Sequence, residues 1–532
     1  MGTRHTTPII AAICALPLVL SGCGAGQDAN TDANGKPILN VTVTKHSLTK
    51  PLKDMNWPKA LEKACDCTVK WSEVSSDWDT KKQAILASKK VPDVAISAFG
   101  DNDMATYGSL FLDLSQELDS MPNVKAMFQT DPKAKAVAET TDGKIYSLPA
   151  DLQDLPQPKS NRRMYVNKQW LDKLGLKVPT TWDELYDVLE AFKTQDPNGN
   201  GKADEIPMDF APIGTSGLGD GTPVHLLGST GLPLTGTVYT QGIFVEDGKV
   251  KNYYEDTRYK QLIEFLNRLW KAGLISDKAF TQDYSQFQSV ARGNGDEATV
   301  GFTWGSTIED RFGAQLKSQY VSIDQLEAEA GQSAKKVWYL KEDAQRYLPG
   351  KLSISAKVAN KEAALKFADA FYDPDVSIQA RFGDMGTDVE KIGDKQYKVL
   401  PPSDSSKDSS TWAWTESLKE NAPCWLQGKI EPSEEYKLRL EEDAPLADSY
   451  ANQDPIKDQW PLEIKMNTAD LNSISLNNST ILNTAVSNFG KWVTKGGVDA
   501  EWDSYVQTLK QANIEQNTEI YQKYYDAWLA KQ

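Results

Sequence analysis

Histidine and cysteine are scarce in this chain, with three and five residues among 532. Structural zinc needs several such ligands at a fixed spacing, and a His-based triad needs a positioned imidazole, so neither chemistry is expected. Basic tracts are missing as well. Asp and Glu number 74 against 58 Lys and Arg, a formal charge of −16. Nucleic acid is therefore not an expected partner, because duplexes are held by clustered cations on their phosphates. Beyond the N-terminus there is no apolar run of the roughly 20 residues that a membrane-spanning helix needs. The remaining body of roughly 500 residues is too long for one hydrophobic core, so two or more lobes are expected.

Aromatic rings, by contrast, are plentiful: 15 Trp and 20 Tyr. A flat ring with a hydrogen-bonding edge suits the face of a pyranose, although most such rings in any chain are core.

The N-terminus is the most informative stretch. A basic start carrying Arg4 precedes an apolar run from Pro8 to Leu20, which ends in Leu20-Ser21-Gly22-Cys23. That order marks an export signal, not a structural helix. Its ending is similar to a bacterial lipobox, which implies cleavage after residue 22 and a diacylated Cys23 as the first mature residue. The protein is then expected on the extracytoplasmic face of the cell membrane, held by lipid. Residues 23–36 contain no large apolar side chain and read as a leash. Cys14 leaves with the signal, so Cys65, Cys67 and Cys424 remain. One residue separates Cys65 from Cys67, and a bridge between them would be strained.

The body alternates. Ile38 to Val43 reads as a strand, a helix around Leu61 follows, then a strand at Thr68 to Trp71, a helix from Asp77 to Ser88, and a short strand at Pro92 to Ile96. Strand, helix, strand, helix, strand predicts a parallel sheet wrapped in helices. A second run begins at Met164-Tyr165-Val166. Thr181 reads as the N-cap of the next helix, with Glu184 at the capping-box position. The last hundred residues read as mostly helical, and Ser403 to Ser410 as a low-complexity loop.

Several segments occur in a telling order: Trp78…Ile85-Leu86-Ala87-Ser88…Pro92-Asp93-Val94, Gly143-Lys144-Ile145-Tyr146-Ser147-Leu148-Pro149, and Tyr165 to Leu176. Val178-Pro179-Thr180-Thr181-Trp182, Lys271-Ala272-Gly273-Leu274-Ile275 and Glu501-Trp502-Asp503-Ser504-Tyr505 extend it. In this order, behind a lipobox, the chain resembles the extracellular solute-binding proteins of bacterial ABC importers, in the larger lipoprotein branch with the alginate-oligosaccharide-binding proteins. The resemblance implies a two-lobed periplasmic-binding-protein-like α/β fold, each lobe a mostly parallel sheet, closing on a ligand at a hinge. It places lobe 1 at 37–152 and 298–353, and lobe 2 at 153–297 and 354–532. The implied function is an oligosaccharide receptor that delivers to permease subunits; a peptide or other solute is the alternative. With 74 acids a catalytic pair can always be drawn, so composition is no argument against a surface hydrolase. No local motif calls for one, however, and the expectation is a protein that is not an enzyme.

Asp196-Pro197-Asn198-Gly199-Asn200-Gly201-Lys202 sets oxygen side chains at positions 1, 3 and 5 and Gly at 6, as in the first half of an EF-hand loop. The carbonyl of Lys202 falls at position 7. Pro207 stands at position 12 in place of a bidentate Glu, so Asp204 and Glu205 must close the site, as the resemblance implies. Structural calcium is the expected cofactor, against a bare Asn-Gly turn. For the ligand, loops after strands nominate His46, Asp101, Asp151 and Trp304, and the loop-rich later segment nominates Trp412, Trp414 and Trp425.

Overall fold

The computed structural model describes residues 30–214, 217–236, 238–404, 407 and 409–532. Cys23 and the signal segment lie outside the described residues. Among the described residues, no helix is long and apolar enough to cross a membrane.

Two sheets organise the chain. The first contains β1 (Ile38–Thr44), β2 (Thr68–Val74), β3 (Val94–Ile96), β4 (Leu148–Asp151) and a later strand, Tyr347–Ile354, in the order β2-β1-β3-(347–354)-β4. Leu39, Val41 and Val43 alternate along β1 and are fully buried, so period-2 patterning places one face against the core. Helices Pro58–Cys65, Lys361–Ala370 and Pro374–Phe382 contribute Leu61, Ala364, Phe367 and Ala380 to that core.

The second sheet is built from β5 (Arg163–Asn167), β6 (Ile206–Met208), Val300–Gly305 and Tyr320–Ile323. A hairpin of β7 (Ile243–Glu246) and β8 (Lys249–Asn252) lies apart from it. In chain order the strands that follow are β9 (Val300–Gly305), β10 (Tyr320–Ile323) and β11 (Tyr347–Ile354), and then β12 (Val389–Gly393), β13 (Gln396–Val399) and β14 (Lys429–Glu431), which pair with one another in a small separate sheet. Helices Trp182–Thr194, Thr257–Lys271 and Thr468–Lys495 cover the second sheet through residues such as Phe192, Leu266 and Phe489.

Each sheet is mostly parallel in strand direction with one opposed member, β11 in the first and β5 in the second. β1 pairs in parallel with β2 and β3, but β11 runs antiparallel to β3 and β4. In the second sheet β5 is antiparallel to both β9 and β10, and only β6 and β9 are parallel. The cause is topological. β5 and β11 each follow a crossing between the lobes, so they leave the cleft where the other strands approach it.

The lobe boundaries also differ from those expected. β9 and β10 pair with β5 in the second sheet, so residues 298–345 do not return to lobe 1. The return is β11 itself, and the helices at 361–382 then pack on the first sheet, not the second. Lobe 1 keeps the chain until the crossing before helix Glu434–Asp443, whose Glu442 accepts from the Tyr165 hydroxyl and the Ile308 N–H of lobe 2.

One local expectation needs correction, and the state of Cys65 and Cys67, open in the sequence, is given by the structure. Thr181 does cap its helix, accepting from the Glu184 N–H at 3.1 Å, but Glu184 reaches back to Thr180, not to Thr181. Cys65 and Cys67 form a disulfide. Asp66 between them ends helix Pro58–Cys65 in the left-handed region, at φ 46°, and this turn brings the two Cα atoms to 5.1 Å. Cys424 is a buried free thiol, its pKa pushed up to about 12 by burial.

Candidate functional site

β3 of the first sheet ends towards the second lobe, and the segment after it reaches across through Asp101 and Ala105. Between the lobes runs a connected series of cavities. One of about 310 Å³ lies at the crossings and includes Lys341 and Ala344 in its wall. The same two residues line the next, about 150 Å³, which in turn shares Asp101, Trp460 and Lys465 with a third of about 690 Å³. Asn102 and Gln241 pass from that one into a groove of about 550 Å³ along helix Thr468–Lys495. The result is a trough, walled on one side by 101–109 and 138–147, and on the other by 460–471.

Asp101 stands in the trough as expected, but it is engaged. Its carboxylate pairs with Lys465 of the other lobe, and Thr468 Oγ1 donates to the Ala105 carbonyl at 3.0 Å nearby. These contacts bridge the cleft. His46 is exposed at the end of β1, its ring 4.7 Å from Trp414 at 30°. Lys419 Nζ lies 5.0 Å from the Trp414 ring on the same rim. Trp412 donates its indole N–H to Asp388 at 3.1 Å, and burial with the nearby Glu416 raises that carboxyl to about 6. His46, Trp412 and Trp414 form a lobe-1 rim outside the cavities of the trough.

Three nominated residues are core. The strand that holds Trp304 does not stop at Thr303 but runs to Gly305, so the indole stays inside the sheet. It is fully buried, edge-on to Phe302 at 5.2 Å. Asp151 is fully buried and paired with Arg346 Nε at 2.9 Å, so its oxygens are taken. Burial raises its carboxyl, with Arg346 acting in opposition. Trp425 is 7% exposed, donates to Gln153 and packs in the lobe-1 core.

Other residues do line the trough. Trp460 is half-buried, 5.1 Å from the Tyr521 ring and edge-on to it, and faces two of the cavities. Tyr146 offers a second ring from lobe 1. The dipeptide Trp460-Pro461 carries no local motif, and only tertiary packing puts it at the cleft. Near the crossings, Arg162 pairs with Asp220 at 3.2 Å, and Tyr239 also donates to that carboxylate. Burial opposes ionisation there, but Arg162 with the bond from Tyr239 outweighs it and holds Asp220 below the usual carboxylate range. His225 itself is pushed down to about 4 by burial and is neutral at pH 7.

The acidic loop folds around its first residue. Asp196 accepts from the Gly199 and Gly201 N–H groups at 3.0 and 3.1 Å, Asn198 from Asn200 N at 3.0 Å, and Asn200 from Lys202 N at 2.8 Å. Gly201 sits at φ +75°, which a side chain would strain. Asn198 and Asn200 turn their amide nitrogens to Asp204, and Asn200 also to Glu297, a carboxylate the local motif does not contain. Glu205 Oε1 is buried without a partner, and burial raises that carboxyl. Among the described residues, no three His, Cys, Asp or Glu side chains converge as a metal cage.

The sequence profile described as "Bacterial extracellular solute-binding protein" matches residues 45–377. The fructooligosaccharide ABC transporter substrate-binding protein FusA of Streptococcus pneumoniae is 28% identical over 502 residues, 88% of this chain and 86% of FusA. Its solved structures include a complex with kestose, at TM-score 0.80 and 25% identity over 93% of this chain and 100% of that one, and an EF-hand mutant. The lipoprotein LipO of Bacillus subtilis is 26% identical over 71% of this chain and 73% of its own. An extracellular solute-binding protein from Bifidobacterium longum subsp. infantis superposes at TM-score 0.87, with 35% identity over 94% of this chain and 100% of that chain.

Proposed function

The chain belongs to the bacterial extracellular solute-binding proteins, and from that membership we propose that it is the membrane-anchored receptor of an ABC importer for an oligosaccharide. The observation that carries the reading is the trough: linked cavities between two lobes, with Trp460 and Tyr146 in its walls and amides such as Gln241 and Asn102 along it. Rings take the apolar faces of sugars, and amides and carboxylates take their hydroxyls. The sugar touches both walls only when the lobes are together, so ligand favours the closed arrangement by its differential affinity. Delivery to permease subunits follows from the importers to which relatives such as FusA belong.

Incubating the protein with labelled oligosaccharides tests receptor against enzyme. A receptor returns them intact; cleavage products would overturn the reading. Small-angle scattering should then record a smaller radius of gyration at saturating ligand.

The anchor is tested separately. Cys23→Ala should abolish fatty-acid labelling and release the protein from the membrane or leave it unprocessed, because no apolar helix among the described residues can replace the lipid. Label that persists in the variant would refute the lipobox.

Calcium completes the proposal. Asp196, Asn198, Asn200, the Lys202 carbonyl, Asp204 and Glu205 would hold it, with Glu297 as an added carboxylate. Hard oxygens, a turn folded on Asp196 and a buried, partnerless Glu205 oxygen fit that ion. Bound there, it cross-links a loop and takes part in no reaction.

A further inference from the structure

The cavity of about 310 Å³ at the crossings has a wall unlike the rest of the molecule. Arg162, Arg163, Lys341, Arg381 and Arg439 line it, against one carboxylate, Glu420. In a chain with a formal charge of −16 such a concentration runs against the overall sign. Arg162 and Arg163 are matched locally by Asp220 and Asp443, at 3.2 and 3.1 Å. Arg381 is not. It is 2% exposed, gives one nitrogen to the Tyr436 hydroxyl at 2.8 Å, and keeps Nε and Nη1 buried without an acceptor.

Among the described residues, no carboxylate lies within ion-pair distance of Arg381, Lys341 or Lys351. Gln157 Nε2, Asn161 Oδ1 and Arg163 Nε on the same wall are likewise buried and partnerless. Glu420 feels Arg381, Lys419, Arg439 and Lys351, and their field outweighs burial and keeps it ionised. A buried guanidinium with idle donors is destabilising unless an acceptor fills them, and a charged acceptor fills them best. Glu420 is the one carboxylate that the described chain sets on this wall.

We propose that this cavity receives an anionic substituent of the glycan, a carboxylate or a sulfate ester, and that the ligand is therefore an acidic oligosaccharide. The cavity shares Lys341 and Ala344 with its neighbour in the trough, so the charged unit would seat at the crossings and the remaining rings would extend past Trp460. The proposal rests on the receptor reading.

Titration calorimetry on the full chain tests it, using a neutral oligosaccharide, the same chain ending in a uronic acid, and the same chain bearing a sulfate ester. At low salt one or both charged forms should bind about tenfold tighter than the neutral parent, the scale of one charge-assisted hydrogen bond. Added salt should narrow the gap. The uronide and sulfate arms identify which anion the cavity prefers.

Arg381→Gln and Lys341→Gln should each shrink the preference, and Glu420→Gln should widen it. Arg381 is buried, so its variant is read only after thermal unfolding shows a folded protein; Lys341 is partly exposed and serves where it is not folded. Equal affinity for neutral and charged chains, or a preference that survives both variants, overturns the anion cavity and leaves the receptor standing. Failure of every oligosaccharide to bind removes both.

Discussion

Trp460→Ala should weaken oligosaccharide binding by about 1–3 kcal/mol while leaving the fold intact, and Trp304→Ala should do the reverse. The first estimate follows from burying one large ring against a sugar. Trp460 is half-buried and borders two cavities of the trough, so truncation removes a platform without opening the core. Trp304 is fully buried against Phe302 in the second sheet. Its truncation leaves a cavity, and losses of about 3–5 kcal/mol are typical for a core Trp. Calorimetry with a bound oligosaccharide and urea unfolding of the free protein read the two effects separately. Lost affinity in a fully folded Trp304→Ala protein would show that the indole reaches the ligand after all. Wild-type affinity in Trp460→Ala would remove the platform from the trough.

This pair marks where sequence reasoning stopped short. Val300 to Thr303 is legible as a strand from its β-branched and aromatic residues, yet nothing local shows that it continues to Gly305. That difference of two residues turns a loop Trp into a core Trp. The same limit applies to the lobes. Strand identity is a short-range property, but assigning β9 to the second sheet depends on its pairing with β5, more than 130 residues earlier in the chain. The helix capped by Thr181 and the turn at Gly201 were readable because each is set by neighbours within a few positions. The cationic cavity was not. Its arginines come from the crossing into β5 and that strand's first residue, from the helix Pro374–Phe382 and from the helix Glu434–Asp443, and only the hinge brings them together.

Removing calcium should lower the melting temperature of the wild-type protein, and Asp196→Ala should reproduce that loss and abolish the response to added calcium. The reason is mass action: an ion held only by the folded state stabilises it, by about 2.7 kcal/mol at one hundred times its Kd. For a lobe of this size that corresponds to roughly 4–5 °C. Asp196 is the decisive position because its carboxylate already receives the Gly199 and Gly201 N–H groups that shape the turn. Its loss therefore removes a ligand and loosens the loop. Glu205→Gln separates these effects, since Glu205 accepts no side-chain partner and its removal deletes one charge from a buried oxygen. That variant should keep the calcium-free melting temperature and lose most of the calcium-dependent gain. Acid should act in the same direction. Burial raises the Glu205 carboxyl, so in the calcium-free fold it binds a proton more readily than in the unfolded chain, and metal binding must displace that proton. The calcium-dependent gain should thus shrink as pH falls through the carboxylate range. A melting temperature indifferent to calcium at neutral pH would reduce the segment to an Asn-Gly turn.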